Sequence, residues 1–288
     1  MQRAGLRVGE DFFLAFSPER VDPGNPTYAT HNIPKVVGGT TANCLALACL
    51  FYGTLIEKIV PVSSTATAEM VKLIENTFRS VNIALANEMA LVCHKFGINV
   101  WEVIDAARTK PFGFMPFYPG PGLGGHCIPV DPYYLTWQAK ILGAEPRLIE
   151  LAATINDHMP AFVVSRIADA LNDQQKSLKG AKILGLGVTY KRDVTDMRES
   201  PALEVLALLA RKGAIIHYAD PYVSSLDIGG QALRSLAITP ETLAAVDCAV
   251  ILADHSVFDY EMIAMHSPLL LDTRNALKQF SGAHILRL

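Results

Sequence analysis

Charge is scarce in this chain. Of its 288 residues only 18% are Asp, Glu, Lys or Arg, against about a quarter in an ordinary soluble protein. The 25 basic and 28 acidic residues leave a net charge of −3 and include no run of five basic side chains, which excludes the electrostatic footprint of a nucleic-acid binder. Cysteine pairing is also missing. Five cysteines, an odd number with no C-x-x-C among them, argue against a disulfide framework and against a zinc site. A reducing, cytoplasmic setting and no metal are therefore expected. The longest apolar stretch, Cys44 to Ile56, is interrupted by Gly53 and is too short to span a bilayer. The opening MQRAGLRVGEDFF lacks the apolar region of a signal peptide, so no membrane partner is expected. Half of the residues are hydrophobic, which excludes disorder. A chain so apolar and so poorly charged has surface to hide, and a large interface between copies of itself is the simplest place.

What is present divides into three stretches. In residues 1–63, KVVGG (35–39) reads as a strand, CLALACLFYGTLIE as an apolar helix and KIVPVS (58–63) as a second strand. This is the close of an α/β unit whose beginning is not visible, and no G-x-G-x-x-G follows a strand there. Residues 64–175 are helical. The segment from Ser64 to Gly97 has no proline and carries apolar residues nearly all round, as in a helix covered on several sides. Asn99 with Glu102 is a capping box. Asp131-Pro132 suits a helix cap and first turn, and a long helix runs from about Pro146 to Leu171. Between these helices, residues 109–129 hold five of the 17 prolines, several glycines and interleaved aromatics, a structured loop. In residues 176–288, AKILGLGV, AIIHYADP, DCAVILADH and PLLLDTRN are strands alternating with helices, which implies a parallel sheet with right-handed crossovers.

The densest chemical signal is GPGLGGHCIPVDP, 120–132. Glycines strip the backbone of side chains, so a ligand can approach its N–H groups. Cys127 at the end of such a loop, beside a helix start, is placed as a thiolate nucleophile. Adjacent His126 is the weaker partner for it, because neighbouring residues point apart. Asp131 is a helix cap that can also face the thiol. Lys72 and Asn76 share one helix face and offer an ammonium and an amide to an oxyanion, or else the lysine is simply solvated. Glu19, after the apolar run FFLAF, sits at a strand end where α/β proteins bind ligands. TYKRDVTDMRESP (189–201) gathers Lys191, Arg192 and Arg198 before a helix, the makings of a phosphate site. Arg274 in LLLDTRN is placed to reach the same crevice.

Taken in order, SPERVDPG, the Lys72–Asn76 helix, GPGLGGHCIPVDP, YKRDVTDMRESP and LDTRN resemble the nucleotide-sugar 6-dehydrogenases, and the UDP-N-acetylglucosamine branch most of all. The resemblance implies an α/β fold in three parts. Residues 1–63 would be the remnant of an N-terminal Rossmann domain, with on the order of 100 residues of that domain absent. Residues 64–175 would be a central all-helical dimerisation and catalytic region, and residues 176–288 a C-terminal Rossmann-like parallel-sheet domain for the UDP-sugar. It implies oxidation of the sugar's C6 hydroxyl to a carboxylate with NAD, in surface-polysaccharide precursor synthesis, by a homodimer or higher oligomer. Cys127 would trap the intermediate aldehyde as a thiohemiacetal that becomes a thioester. Lys72 and Asn76 would steady the oxyanions, and Asp131 and Glu19 would handle protons and the hydrolytic water. Arg20, Phe117, Tyr118, Gly122, Gly124, Gly125, Tyr190, Lys191 and Arg274 would hold the UDP-sugar, and Arg198 would reach the NAD. Two alternatives stay open: an inactive UDP-sugar-binding or dimerising fragment, and a cysteine hydrolase built on His126 and Cys127.

Overall fold

The computed structural model describes residues 5–22, 25, 27–125 and 128–288. The chain folds as two compact units, Met1–Phe78 and Arg79–Leu288.

The first unit is built on a three-stranded sheet. Strand β1 (Ala15–Phe16) pairs antiparallel with β2 (Lys35–Gly39), and β2 pairs parallel with β3 (Ile59–Val62). Helix α1 (Ala42–Gly53) makes the crossover between the parallel pair. It starts where Thr41 Oγ1 accepts the Cys44 N–H at 3.2 Å, a side-chain oxygen serving an otherwise orphaned donor. It stops at Gly53, short of the expected Glu57, because Thr54 and Leu55 N–H groups close back on Phe51 and Tyr52 carbonyls. Val36 and Val37 are buried under it. Helix α2 (Thr65–Phe96) opens with the Ser64 hydroxyl accepting the Thr67 N–H at 3.0 Å and ends at Gly97 with φ 67°, so it begins in the first unit and finishes in the second.

The second unit continues with α3 (Val100–Ala107), capped by Asn99 on the Trp101 N–H, then α4 (Asp131–Ile141) and α5 (Arg147–Asp173). Its sheet holds β4 (Lys182–Leu186), β5 (Ile215–Ala219), β8 (Cys248–Ile251), β9 (Leu270–Asp272) and β10 (Ile285–Arg287), all parallel, in the order β10-β9-β8-β4-β5. Helices α6 (Pro201–Arg211), α7 (Pro240–Ala244) and α8 (Tyr260–His266) connect them, with a hairpin β6 (Ser225–Ile228) and β7 (Gln231–Arg234) after β5. Alternation along each strand sorts side chains to two cores. Ile183, Cys248 and Val250 join Met159, Ile167, Leu206 and Leu209 of α5 and α6 on one face. Leu184, Leu186, Ala249 and Ile251 join Leu243, Ile263 and Leu277 on the other. Helices on both faces are what a buried parallel sheet requires, and the expected helical region followed by a parallel sheet is borne out. The hairpin, α7 and β10 were not anticipated. Asp131 was expected to cap α4, but the helix begins with it, and Val130 before it makes no side-chain cap bond.

Among the described residues no helix is long and apolar enough to cross a membrane. The second unit nevertheless exposes large apolar side chains: Leu85, Met89, Val92 and Phe96 along one stripe of α2, and Trp137 and Ile141 on α4.

Candidate active site

From β4 the chain crosses to β5 on one side and then returns to β8 on the other. The order of strands therefore reverses between β4 and β8, and the crevice at their carboxyl ends is where open α/β sheets bind ligands. Thr189, Tyr190 and Lys191 follow β4, Leu252 to His255 follow β8, and Arg274 follows β9. Buried Asp272 accepts the Arg274 N–H at 2.9 Å and the Leu277 N–H at 2.7 Å, with Asn275 between them at φ 56°. That turn aims Arg274, whose Nε donates to the Leu252 carbonyl at 2.9 Å. Burial pushes the guanidinium's pKa down, against Asp254 and Asp272. Burial pushes the Asp272 carboxyl up, against the N–H groups of Leu277, Arg274 and Ala276.

The glycine loop lies against this corner. A Cβ on Gly120 would come within 2.8 Å of Arg274 Nη1. One on Gly125, at φ 93°, would come within 3.1 Å of the Tyr190 ring. Gly122 and Gly124 lie against Pro201. The structure thus brings the loop, Tyr190 and Arg274 together as expected, and it corrects the reason. The missing side chains make room for protein first, and the loop is pressed onto the parallel-sheet domain. Phe117 packs on the cluster of Ala86, Ala90, Cys93 and Trp101. Tyr118 stacks on Trp101 with centroids 5.8 Å apart, and its hydroxyl donates to Asp105 at 2.6 Å. Both rings anchor the loop to α2 and α3.

Sequence reasoning missed the brace behind the loop. Asn87, fully buried on α2, accepts the Gly120 N–H at 3.0 Å. Its amide donates to Asn156 Oδ1 at 2.9 Å, and Asn156 donates to the Ser80 carbonyl at 3.1 Å. Two asparagines in the apolar helices were the available signal, since buried amides are retained only when bonded.

In the 189–201 segment, Thr189 Oγ1 donates to the Lys191 carbonyl at 2.8 Å, and the Tyr190 N–H to the Asp196 carbonyl at 3.2 Å. Arg192 pairs with Asp254 at 2.5 Å. Arg198 folds back on Asp196 at 2.7 Å with its side chain 66% exposed. Beside this segment, Gly122, Asp157, Glu199, Ser200 and Pro201 help line a cleft of about 580 Å³.

The first unit places Glu19, Arg20, Lys72 and Asn76. Glu19 accepts the N–H groups of Arg20 and Val21, each at 2.8 Å, and lies 3.8 Å from Lys35 Nζ. Burial pushes its carboxyl up, but the Val21 N–H, Lys35, the Arg20 N–H and Lys72 together hold it below its ordinary value. Glu19 and Lys72 therefore feel each other. Arg20 is committed elsewhere: its guanidinium grips Glu75 at 2.6 and 3.2 Å and the Pro34 carbonyl at 2.6 Å. Asp131 lies in the first turn of α4, where a helix N-terminus favours a carboxylate. His126 and Cys127 lie outside the described residues.

Among the described residues no strand runs into a G-x-G-x-x-G. The spelling G-x-G-x-x-G does occur at 120–125, but no strand precedes it. Gly38, at the end of β2, is closed by its own chain, since a Cβ there would meet the Ser64 carbonyl oxygen at 2.1 Å.

Two family profiles match. The central domain of the UDP-glucose/GDP-mannose dehydrogenase family matches residues 66–158, and its UDP binding domain matches residues 184–279. UDP-N-acetyl-D-glucosamine 6-dehydrogenase of Pseudomonas aeruginosa is 38% identical over 259 residues, covering 88% of this chain and 60% of that protein. UDP-N-acetyl-D-mannosamine dehydrogenase of Escherichia coli K12 is 40% identical over 260 residues, covering 88% and 61%. The chain thus spans about 60% of the length of these relatives. The solved UDP-D-ManNAc dehydrogenase of Pyrococcus horikoshii superposes with a TM-score of 0.87 at 35% identity, covering 99% of this chain and 67% of that one. Loop, switch-point crevice and both profiles converge on one statement: the chain belongs to the UDP-glucose/GDP-mannose dehydrogenase family.

Proposed function

We propose that this chain holds the nucleotide sugar and carries the covalent chemistry of an NAD-dependent UDP-sugar 6-dehydrogenase. UDP-N-acetylglucosamine is the foremost substrate, and its uronate serves surface-polysaccharide synthesis. The observation that carries the reading is the meeting of the glycine loop, in the stretch matched by the central domain, with Tyr190 and Arg274, in the stretch matched by the UDP binding domain, at the switch point of the parallel sheet. Arg274 and Lys191 supply fixed cations to the diphosphate. Tyr190 and the main chain from Phe117 to Gly125 hold the uridine and sugar, and Arg20 reaches the sugar once it leaves Glu75. The division into 1–63, 64–175 and 176–288 assigns the last part to UDP and the middle part to the reacting carbon.

Taking a C6 alcohol to a carboxylate removes two hydrides, and in this reading NAD⁺ is the oxidant that takes them up, with Arg198 turned toward it. What this chain's own residues do concerns the carbon. The Cys127 thiolate adds to the aldehyde carbon, which keeps a half-oxidised sugar from escaping. Lys72 and Asn76 place an ammonium and an amide on the oxyanion. Glu19, held ionised by its neighbours, and Asp131 take protons and orient the water that cleaves the thioester. A second copy covers the apolar stripe of α2 and α4, giving a homodimer or higher oligomer in the cytoplasm.

The second reading, a UDP-sugar-binding and dimerising fragment without turnover, is favoured by the lack of a G-x-G-x-x-G after any strand among the described residues. Mixing the chain with NAD⁺ and UDP-N-acetylglucosamine separates the two. NADH and uronate formation, lost in Cys127→Ser, supports the first. UDP binding with no NADH supports the second, and neither binding nor NADH contradicts both. His126→Ala with undiminished thiol alkylation removes the hydrolase alternative.

A further inference from the structure

Behind the Tyr190–Lys191 turn sits a fully buried imidazole to which the mechanism gives no task. His255 follows β8, and its ring is enclosed edge-on by Tyr222 and Phe258, with centroids 5.0 and 5.2 Å away. Counting protons fixes its tautomer. The Asp193 N–H donates to Nδ1 at 3.0 Å, so Nδ1 presents a lone pair. Nε2 lies 3.1 Å from Asp220 Oδ2 and 3.3 Å from Thr189 Oγ1. Thr189 has given its one proton to the Lys191 carbonyl, and Asp220 already accepts the Val188 N–H at 2.7 Å and the Tyr222 N–H at 2.8 Å. Both neighbours can only accept, so the ring proton is on Nε2. Burial pushes the Asp220 carboxyl up, but the bonds from His255, Val188 and Tyr222 outweigh it and keep it ionised.

The other end of this network is the loop. Asp193 stands at φ 57°, a left-handed conformation that a residue with a side chain keeps only when its surroundings over-determine it. Its N–H is held by His255, and its carboxylate accepts the Ser256 N–H at 2.8 Å and the Tyr222 hydroxyl at 3.4 Å. Further charges at this end are Arg192 and Asp254, paired with each other. Tyr260 fixes the far side by donating to the His255 carbonyl at 2.9 Å.

We propose that His255 is a positioning residue, a single-proton brace between Asp220 and the Asp193 N–H that sets the 189–196 loop so that Tyr190 and Lys191 meet the diphosphate of the nucleotide. The inference rests on that loop being the diphosphate-holding loop. Two variants divide the ring's roles. His255→Asn keeps an acceptor near the Nδ1 position, and His255→Gln keeps a donor near Nε2 but loses the acceptor. Calorimetric titration of UDP into the whole 288-residue chain should show both variants weakened about tenfold, His255→Gln through the freed Asp193 amide and His255→Asn through the lost hold on Asp220, since one lost bond to a fixed group is worth about that factor. Wild-type affinity in either folded variant overturns the proposal.

Circular dichroism melts report whether His255→Gln folds. If it does not, nitrogen-15 NMR of the wild-type chain decides. A protonated Nε2 with the Asp193 amide shifting on UDP addition supports the brace, and a protonated Nδ1 or an unmoved amide overturns it. A wild-type chain that ignores UDP altogether defeats the loop's assignment rather than the tautomer, which the same spectrum reads independently.

Discussion

Each unit ties a loop down through a carboxylate, and the two contacts are unlike. In the first, Arg20 reaches from the segment after β1 to Glu75 on α2, with side chains 26% and 36% exposed. In the second, Asp220 meets His255 with both side chains fully buried. Solvent weakens the former and lets its partners part. The latter has no water to replace a lost partner, so each removal leaves an uncompensated polar group. A surface pair can open to admit a ligand, whereas a buried network fixes what surrounds it. The residues assigned to nucleotide holding stand on the second kind of support.

The sharpest way to break this contrast is Asp220→Ala. It strands the His255 ring N–H and the Val188 and Tyr222 amides and should cost about 3 kcal/mol or more in urea denaturation, at about 1–3 kcal/mol for each buried donor left unsatisfied. A loss below about 1 kcal/mol would put this pair on a level with a surface bridge. Next comes Asn87→Ala, which orphans the Gly120 N–H and the Asn156 amide carbonyl. About 1–3 kcal/mol should disappear from the second unit, read by the same urea denaturation, and an unchanged midpoint would remove the brace behind the glycine loop.

Acid sharpens the comparison further. Asp220 is held below the ordinary carboxylate value of 3.8, so its contribution is complete above that pH and is lost as pH falls through its lower folded value. Asp272 is raised and works in the opposite sense, with its contribution complete below 3.8 and lost as pH rises through its folded value. Stability measured in pH steps should therefore fall below about pH 4 in the wild type and fall less steeply in Asp220→Asn. An identical acid limb would refute the assignment. The smallest effect belongs to Arg20→Ala, expected at about 1 kcal/mol or less and shrinking with added salt. A loss of several kcal/mol would show that the Glu75 contact is structural and not available to release Arg20.

Much of this was legible beforehand, for local reasons. Asn99 and Gly97 bracket helices α3 and α2 where their caps demand. The strands β4, β5, β8 and β9 fall inside runs whose alternate residues serve two cores. The hairpin after β5 was hidden because SLDI and QALR are short, half polar and joined by two glycines. Strand β10 is three residues long and borrows its identity from β9. The glycines of the loop were visible, but their neighbours were not. Nothing local says that Pro201, Tyr190 and Arg274 occupy the space beside them. Asn87 and Asn156 are 69 residues apart and meet only through packed helices. His255 was read as the tail of a strand because its partners come from the ends of two others.

The central claim is that the glycine loop, Tyr190 and Arg274 together hold a uridine diphosphate. Titrating UDP into the wild-type chain and into Arg274→Ala tests it most directly. The account predicts binding by the wild type and a loss of about 1–3 kcal/mol in the variant, the worth of a charge-assisted bond. Equal affinity for the two, or a folded wild-type chain that shows no heat with UDP, would contradict it.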